Sequence, residues 1–232
     1  NISQQTGGWT LSWQCTGNTN EHFPQGTSIW AGIQNAVEAG GGNAILSPDG
    51  RYEHTPDVAI VVFGEAPYAE FRGDLTHLNV SLERTLGLLQ SFRAAEIPTV
   101  AGFLSGRPLW VTPEINAANS FVAAWLPGSE GAGVADVLFC QGSDNVDFRG
   151  KLSFSWPRTA TWSMHGRREN DYTPLFPYGY GLTYGDNGNL AQLPETSGLD
   201  GSEKTQGSAL FALGRPVAPW SLQATVGNTS NT

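Results

Sequence analysis

The sequence predicts an α/β fold with a mostly parallel sheet of about six strands and helices on both faces. Short apolar segments alternate with amphipathic helical segments along most of the 232 residues, which is typical of this class. Residues 58–63 form an unbroken apolar run, Val-Ala-Ile-Val-Val-Phe, as expected for a strand buried on both faces. With 232 residues, the chain is long enough for one sizeable domain with a C-terminal extension.

The first predicted helix begins at Thr27 or Ser28, because either hydroxyl can cap its first turn. It ends at the glycines 40–42, which favour termination. Two strands are predicted next, the first at residues 43–46 and the second at residues 57–63.

The second half continues the alternation. A helix is predicted over residues 81–95, with leucines near one face, and it is closed by Pro98 before a strand at 99–104. Pro113 opens a short helix. The remaining predicted elements are this helix at 114–118, a strand at 121–126, a helix at 134–139 and a last strand at 152–156.

Composition divides the chain into three parts. Residues 1–185 are predicted to form one domain. Residues 186–207 are rich in Gly, Ser, Asn, Thr and Glu, which indicates a linker. Residues 208–232 are predicted to begin a further β-rich segment or domain, with strands at 208–213 and 221–226. Because the chain lacks a start Met and a signal h-region, we expect polypeptide to precede Asn1.

Charge and composition exclude several classes of partner. With a net charge of −9 and only 12 Lys and Arg residues, nucleic acid and anionic membrane surfaces are poor candidates. No apolar run is long enough for a membrane span. The four histidines lack metal-ligand spacing, and no glycine-rich loop matches a nucleotide-binding motif. We therefore predict no metal and no cofactor. Eight tryptophans suit a ligand with weakly polar faces, although most of them are expected to pack in the core.

The loop at residues 64–74, Gly-Glu-Ala-Pro-Tyr-Ala-Glu-Phe-Arg-Gly-Asp, is the strongest candidate site. It follows the predicted buried strand, and ligands of open α/β sheets bind outside the carboxyl ends of strands. Its two glutamates, Glu65 and Glu70, suit glycoside hydrolysis, which uses one carboxyl as acid and another as nucleophile or base. Solvated or ion-paired carboxylates remain the ordinary alternative at such spacing.

Four ordered segments resemble the C-terminal domain of glycoside hydrolase family 3. The loop sequence at 64–70 is joined by Ser-Gly-Arg-Pro-Leu at 105–109, Ala-Ala-Trp-Leu-Pro-Gly-Ser-Glu-Gly at 123–131 and Pro-Tyr-Gly-Tyr-Gly-Leu at 177–182. The segment Gly-Gly-Trp-Thr-Leu-Ser-Trp-Gln at 7–14 is similar to that of the exo-1,3/1,4-β-glucanases and β-glucosidases of the family. The likeness covers roughly residues 7–184.

The resemblance implies a flavodoxin-like α/β sandwich that works beside an N-terminal (β/α)8-type barrel, which this chain lacks. The barrel would supply an aspartate nucleophile, and this domain would supply the general acid/base. In the family pattern the acid/base is the second glutamate of the motif, which is Glu70 here, and an aromatic wall of the outer sugar subsite corresponds to Trp13.

The residues themselves support this assignment only in part. Glu70 lies nearer the loop tip, while Glu65 follows the strand directly and is better placed for an internal hydrogen bond. Tyr68 and Phe71 are available as further aromatic walls for a sugar. Trp13 has an alternative role as an anchor of the N-terminal segment.

The resemblance therefore predicts part of a retaining exo-β-glucosidase or exo-β-glucanase that releases terminal glucosyl units from β-glucans or gluco-oligosaccharides. Such an enzyme would be secreted, periplasmic or at the cell surface, and this chain would be inactive without the barrel. The alternative is a stand-alone, non-catalytic carbohydrate-binding or interaction domain. Residues 140–145 and 164–170 depart from the family pattern, which leaves the linkage preference open.

Overall fold

The computed structural model describes residues 1–140, 146–161 and 172–200, together with the short segments 211–212 and 215–216. The chain divides into two compact units, Asn1–Gly198 and Leu199–Thr232. The first unit holds the sheet, its helices and the candidate site.

Five α-helices and three strands make up the described part of the first unit, with one turn of 3-10 helix at Asn20–His22. The helices are α1 Ile2–Gln5, α2 Ile29–Ala39, α3 Glu83–Ala94, α4 Thr112–Ala117 and α5 Gly131–Leu138. The strands are β1 Ala59–Gly64, β2 Thr99–Leu104 and β3 Ser120–Trp125.

The three strands form a parallel sheet in the order β1-β2-β3. Ala59 pairs with Thr99 at one end of β1, and Gly64 pairs with Leu104 at the other. Helix α3 connects β1 to β2, and α4 connects β2 to β3. Because all three strands run the same way, the loops after β1, β2 and β3 leave the sheet at one edge.

Alternate strand residues pack against different helices. On one face, Phe63 and Phe103 are buried in a cluster that includes Leu89 of α3 and Ile115 of α4. On the other face, Leu104 is buried with residues of α2 and α5, namely Ile29, Ile33 and Ala135. This alternation follows from the two-residue repeat of a strand. The α/β class and the parallel sheet are therefore confirmed.

The predicted number of strands is wrong for the described residues, where the first unit has three. Residues 43–46 form no strand; Ile45 and Leu46 are 68% and 59% exposed. At 152–156 only Trp156 forms a bridge, an isolated antiparallel one with Phe176. Short apolar segments become strands only when a neighbouring strand accepts their hydrogen bonds, and the sequence of the segment alone does not specify that neighbour.

The strands predicted at 208–213 and 221–226 fall only partly on described residues. Phe211–Ala212 pairs in antiparallel fashion with Arg215–Pro216, and these form β4 and β5 of the second unit. The predicted strand at 221–226 lies outside the described residues.

The helix boundaries largely agree with prediction, with one instructive difference. Ser28 caps α2 by accepting a hydrogen bond from the Ala31 backbone N–H at 3.1 Å. Helix α5 begins at Gly131, before the predicted start at 134. A Cβ at Gly131 would lie 2.5 Å from the backbone nitrogen of Ile29, so this position requires glycine for close contact with α2. Packing between the two helices thus outweighs the low helix propensity of glycine.

The compact unit continues beyond the predicted domain end at residue 185, to Gly198. Asn116, in α4, holds this continuation. Its side-chain amide donates to the Leu193 carbonyl at 2.9 Å and to the Glu195 carboxylate at 2.8 Å, and its oxygen accepts from Leu193 N–H at 3.0 Å. Residues in the first part of the predicted linker are therefore attached to the domain.

We expect Asn116→Ala to lower the free energy of unfolding by about 1 to 2 kcal/mol, because its two hydrogen bonds to the partly buried backbone of Leu193 are lost. The measurement is urea denaturation of the chain. Asn187→Ala, at an exposed position of the same C-terminal segment, is the matched control and should have little effect. Equal effects of the two substitutions would contradict an anchoring role for Asn116.

Candidate active site

The candidate site is formed where the N-terminal segment meets the loop after β1. The side chain of Gln14 joins the two. Its oxygen accepts a hydrogen bond from the Ala69 backbone N–H at 2.7 Å, and its amide donates to the Glu70 carbonyl at 2.8 Å. Residues 7–15 and 65–74 therefore share one surface although they are distant in sequence.

The start of the N-terminal segment is itself anchored by Gln5. Its amide donates to the carbonyls of Thr27 and Gly128, each at 2.9 Å, and its oxygen accepts from the Ile29 backbone N–H at 3.1 Å. Further along, the free thiol of Cys15 is buried beside the Thr6 hydroxyl, with 3.1 Å between sulfur and oxygen. These contacts hold the segment that presents Trp13.

The Glu70 carboxylate is exposed and accepts a hydrogen bond from the indole N–H of Trp13 at 2.6 Å. This hydrogen bond is the main reason that the pKa of Glu70 lies below its usual value, with smaller contributions from its own backbone N–H and from Trp9. Hydrogen bonding to a carboxylate favours the charged form. In this chain Glu70 is thus held as an anion in a defined direction.

Three exposed aromatic rings, those of Trp9, Trp13 and Phe71, cluster around Trp13, the hydrogen-bond donor to this carboxylate; we call them the aromatic group. The side chains of Trp9, Trp13 and Phe71 are 70%, 44% and 73% exposed. The ring centroids of Trp13 lie 6.2 Å from Trp9 and 5.7 Å from Phe71. Trp9 and Phe71 have backbone φ angles of 64° and 71°, which are uncommon for bulky residues. Strained backbone that displays apolar rings to solvent is typical of a ligand site.

Glu65, the other glutamate of the loop, is in a different environment. The guanidinium of Arg107 contacts its Oε2 at 2.8 Å, and the Ser105 hydroxyl lies 2.6 Å from its Oε1. The side chains of Glu65 and Arg107 are only 12% and 19% exposed. The predicted internal hydrogen bonding of Glu65 is confirmed, and its carboxylate is occupied by these partners.

Tyr68 lies inside the loop. The guanidinium carbon of Arg107 is 4.0 Å from the centroid of the tyrosine ring, within the range of a cation–π contact. Burial, followed by the nearby charge of Glu65, raises the pKa of the Tyr68 hydroxyl. Among the described ring contacts, Tyr68 pairs with Arg107 and not with the aromatic group.

The structure therefore brings together three of the four predicted site residues, Glu70, Trp13 and Phe71, whereas the fourth, Tyr68, packs against Arg107. Sequence reasoning missed Trp9 and Gln14, although both belong to the 7–14 motif. It also assigned no role to Arg107, which appeared only within the 105–109 motif. Arg107 follows the predicted strand at 99–104, which is parallel to β1, and this position was the signal that could have indicated a role at the site.

Other candidate chemistry is limited. Within residues 1–140, 146–161 and 172–200, no three His, Cys, Asp or Glu side chains converge as metal ligands. Of the segments that depart from the family pattern, 140–145 and 164–170, only Cys140 lies within the described residues, and it is exposed. The chemistry available beside the apolar rings is that of the exposed Glu70 carboxylate. Aromatic faces of this kind pack against the C–H faces of sugars.

An exposed carboxylate among aromatic rings, at the carboxyl edge of a parallel sheet, fits the α/β domain of a carbohydrate-active protein. Residues 2–184 match the family described as glycosyl hydrolase family 3 C-terminal domain. The chain belongs to this family.

The relatives found in the comparisons are glycosidases. The chain is 54% identical to the exo-1,3/1,4-β-glucanase from a Pseudoalteromonas species, with a TM-score of 0.80, over 84% of this chain and 25% of that one. It is 32% identical to the lysosomal β-glucosidase of Dictyostelium discoideum over 79% of this chain and 24% of that protein. The periplasmic β-glucosidase of Salmonella typhimurium is 29% identical over 75% of this chain and 29% of that protein.

The chain thus spans about a quarter of the length of these relatives. A β-glucosidase from Listeria innocua, 21% identical with a TM-score of 0.58 over 78% of this chain and 28% of that one, shares the fold.

We expect Trp13→Phe to raise the pKa of Glu70 toward its ordinary value, because the substitution keeps an aromatic ring but removes the N–H that stabilises the carboxylate. The measurement is an NMR titration of the Glu70 side-chain carboxyl in this chain.

Trp30→Phe, in helix α2, is the control for the loss of an indole elsewhere in the domain and should leave the pKa of Glu70 unchanged. An unchanged pKa of Glu70 in Trp13→Phe would show that the indole hydrogen bond does not control this carboxylate.

Proposed function

We propose that this chain is the acid/base part of a retaining exo-β-glucosidase or exo-β-glucanase that hydrolyses terminal β-D-glucosyl residues of β-glucans and gluco-oligosaccharides. The observation that carries the proposal is the exposed carboxylate of Glu70, directed by Trp13 and flanked by the aromatic group. Similarity to the Pseudoalteromonas exo-1,3/1,4-β-glucanase supports the substrate class.

The second catalytic carboxyl comes from a companion domain. Retaining glycosidases hold their two carboxyl groups about 5 to 5.5 Å apart. Glu65 is the other glutamate of the loop, but its carboxylate is already occupied by Arg107 and Ser105. An N-terminal barrel that supplies an aspartate nucleophile, as the sequence resemblance implies, completes the pair. The quarter-length match to the relatives is consistent with such a domain in the parent protein.

Glu70 acts twice in the proposed reaction. It first gives its proton to the departing glycosidic oxygen while the aspartate forms a bond to the anomeric carbon. It then takes a proton from the water that displaces the aspartate and releases the sugar. The Trp13 N–H stabilises the carboxylate that exists between these two steps, since it donates to the charged form of Glu70.

The first step requires a protonated Glu70, whereas the exposed residue has a lowered pKa. A barrel and a bound sugar that cover this surface would remove water from the carboxyl and raise its pKa. Without the barrel, Glu70 is ionised and the aspartate nucleophile is missing. We therefore propose that the chain is inactive by itself.

Substrate contacts are assigned to the exposed rings. We assign Trp13 and Phe71 to the outer sugar subsite, where their exposed parts can pack against pyranose C–H groups. Tyr68 contributes from behind, as part of the packed loop that carries Glu70.

A non-catalytic carbohydrate-binding domain is the second candidate, and the exposed aromatic group favours it if the chain works alone. That function predicts measurable binding of laminari- and cello-oligosaccharides to this chain by calorimetry, abolished by Trp13→Ala. The proposed catalytic role predicts instead that firm binding of these oligosaccharides requires the barrel.

We propose a secreted, periplasmic or cell-surface location for the parent enzyme. The support is the name of the Salmonella relative, a periplasmic β-glucosidase. Among the described residues, no helix has the length and apolar character needed to cross a membrane.

We expect Glu70→Gln, in the full-length protein that contains this chain, to lower kcat/KM on gluco-oligosaccharides by about 100-fold or more, since proton transfer to a poor leaving group is lost. On glucosides with an activated leaving group, kcat/KM should fall far less, because that group departs without a proton. Steady-state kinetics on both substrates provide the test.

Glu53→Gln, an exposed glutamate outside the loop, is the control and should behave as wild type. Normal turnover of oligosaccharides by Glu70→Gln would refute the assignment.

A further inference from the structure

Arg107 follows β2 at the carboxyl edge of the sheet and contacts the loop after β1 at its beginning, middle and end. It pairs with the carboxylate of Glu65, with Nη2 to Oε2 at 2.8 Å and Nε to Oε2 at 3.3 Å. Its guanidinium lies over the ring of Tyr68. Its Nη1 donates to the carbonyl of Gly73 at 2.5 Å. One side chain thus spans most of the loop.

We propose that Arg107 is a positioning residue that fixes the conformation of loop 65–74 and thereby sets the direction of the Glu70 carboxyl. The inference rests on the proposed function of Glu70 as the acid/base. Arg107 acts through the loop and itself contacts neither the aromatic group nor Glu70 in the described hydrogen bonds and ring contacts.

The path from Arg107 to Glu70 is short. Gly73, whose carbonyl Arg107 holds, donates its backbone N–H to the Ala69 carbonyl at 2.8 Å. The Arg72 N–H donates to the Glu70 carbonyl at 3.0 Å, which closes the turn around Glu70. Arg107 therefore holds one side of this turn, and Gln14 holds the other through the Glu70 carbonyl and the Ala69 N–H.

The contacts of Arg107 require the shape of a guanidinium. A planar fork can donate to a carboxylate and to a carbonyl while its face rests on an aromatic ring, whereas a lysine ammonium is a point charge on a flexible stem. The Ser105 hydroxyl links the same groups, because it lies 2.6 Å from Oε1 of Glu65 and accepts from the Arg107 backbone N–H at 3.1 Å.

The Glu65–Arg107 pair is shielded from water, unlike the one other ion pair among the described residues. That pair joins Arg51 and Asp49 at 3.2 Å, with side chains that are 90% and 49% exposed. Exposed pairs contribute little, whereas loss of one partner from a shielded pair leaves a charge without compensation. The exposed pair therefore provides a matched control for the shielded one.

The experiment uses the full-length protein with Arg107→Lys and Glu65→Gln as variants, and Arg51→Lys and Asp49→Asn as controls. Two substrates are compared: laminaribiose, whose leaving group needs a proton, and 2,4-dinitrophenyl β-glucoside, whose leaving group does not. Misplacement of a catalytic group by about 1 Å costs about 100-fold in rate. We therefore expect kcat/KM on laminaribiose to fall by about 10- to 100-fold in both variants, and kcat/KM on the activated glucoside to change by less than about threefold.

Thermal denaturation identifies variants that fail to fold, and Glu65→Gln, which keeps the shape of the side chain, provides a second route if Arg107→Lys is unstable. Equal losses of kcat/KM on both substrates by the folded variants, or losses no larger than those of the controls, would overturn the positioning role.

Glu70→Gln measured beside them separates the two proposals. If Glu70→Gln shows the leaving-group dependence and the Arg107 and Glu65 variants do not, only the positioning role fails. If Glu70→Gln turns over laminaribiose normally, the acid/base assignment itself fails.

Discussion

The parallel pairing of β1 with β2 is the constraint on which the site depends. Its register places Gly64 beside Leu104, so the residues that follow, Glu65 and Ser105, leave the sheet together. A Cβ at Gly64 would lie 1.9 Å from the Leu104 carbonyl oxygen, so only glycine allows the strands to remain this close at their ends. The ion pair of Glu65 with Arg107, and with it the course of the loop to Glu70, follows from this approach.

The two glutamates of the loop have different surroundings, and this difference underlies the different roles proposed for them. Glu65 directly follows β1, and its carboxylate is paired with Ser105 and Arg107 from the loop after β2. Glu70 is at the loop tip, where the Trp13 indole donates to its exposed carboxylate and Trp9 makes a smaller contribution. A carboxyl that is already paired is poorly suited to exchange protons with a substrate, whereas an exposed one can be covered by it.

Much of this fold could be predicted from local sequence signals, and the predictions that were wrong have a common cause. The strand at 99–104 and the Ser28 cap were predictable because apolar runs and capping hydroxyls act over a few residues. The strand at 43–46 was not, since a strand depends on a partner that the segment does not encode. Glu70 and Trp13 were predicted as site residues through a motif, but the hydrogen bond between them spans 57 residues of sequence and needed the tertiary structure. The bonds of Arg107 to Glu65 and Gly73 are non-local in the same way.

The electrostatics of Glu70 give the proposed division between two domains a physical basis. A residue that serves first as acid and then as base needs a pKa near the working pH, yet the exposed surface and the Trp13 N–H both favour its anion. Desolvation by a covering domain opposes this preference without removing the hydrogen bond that orients the carboxyl. In the proposed enzyme, this domain therefore fixes the direction of the acid/base, while closure of the site against the barrel and the sugar makes it protonated. Direction and protonation are then controlled by separate parts of the protein.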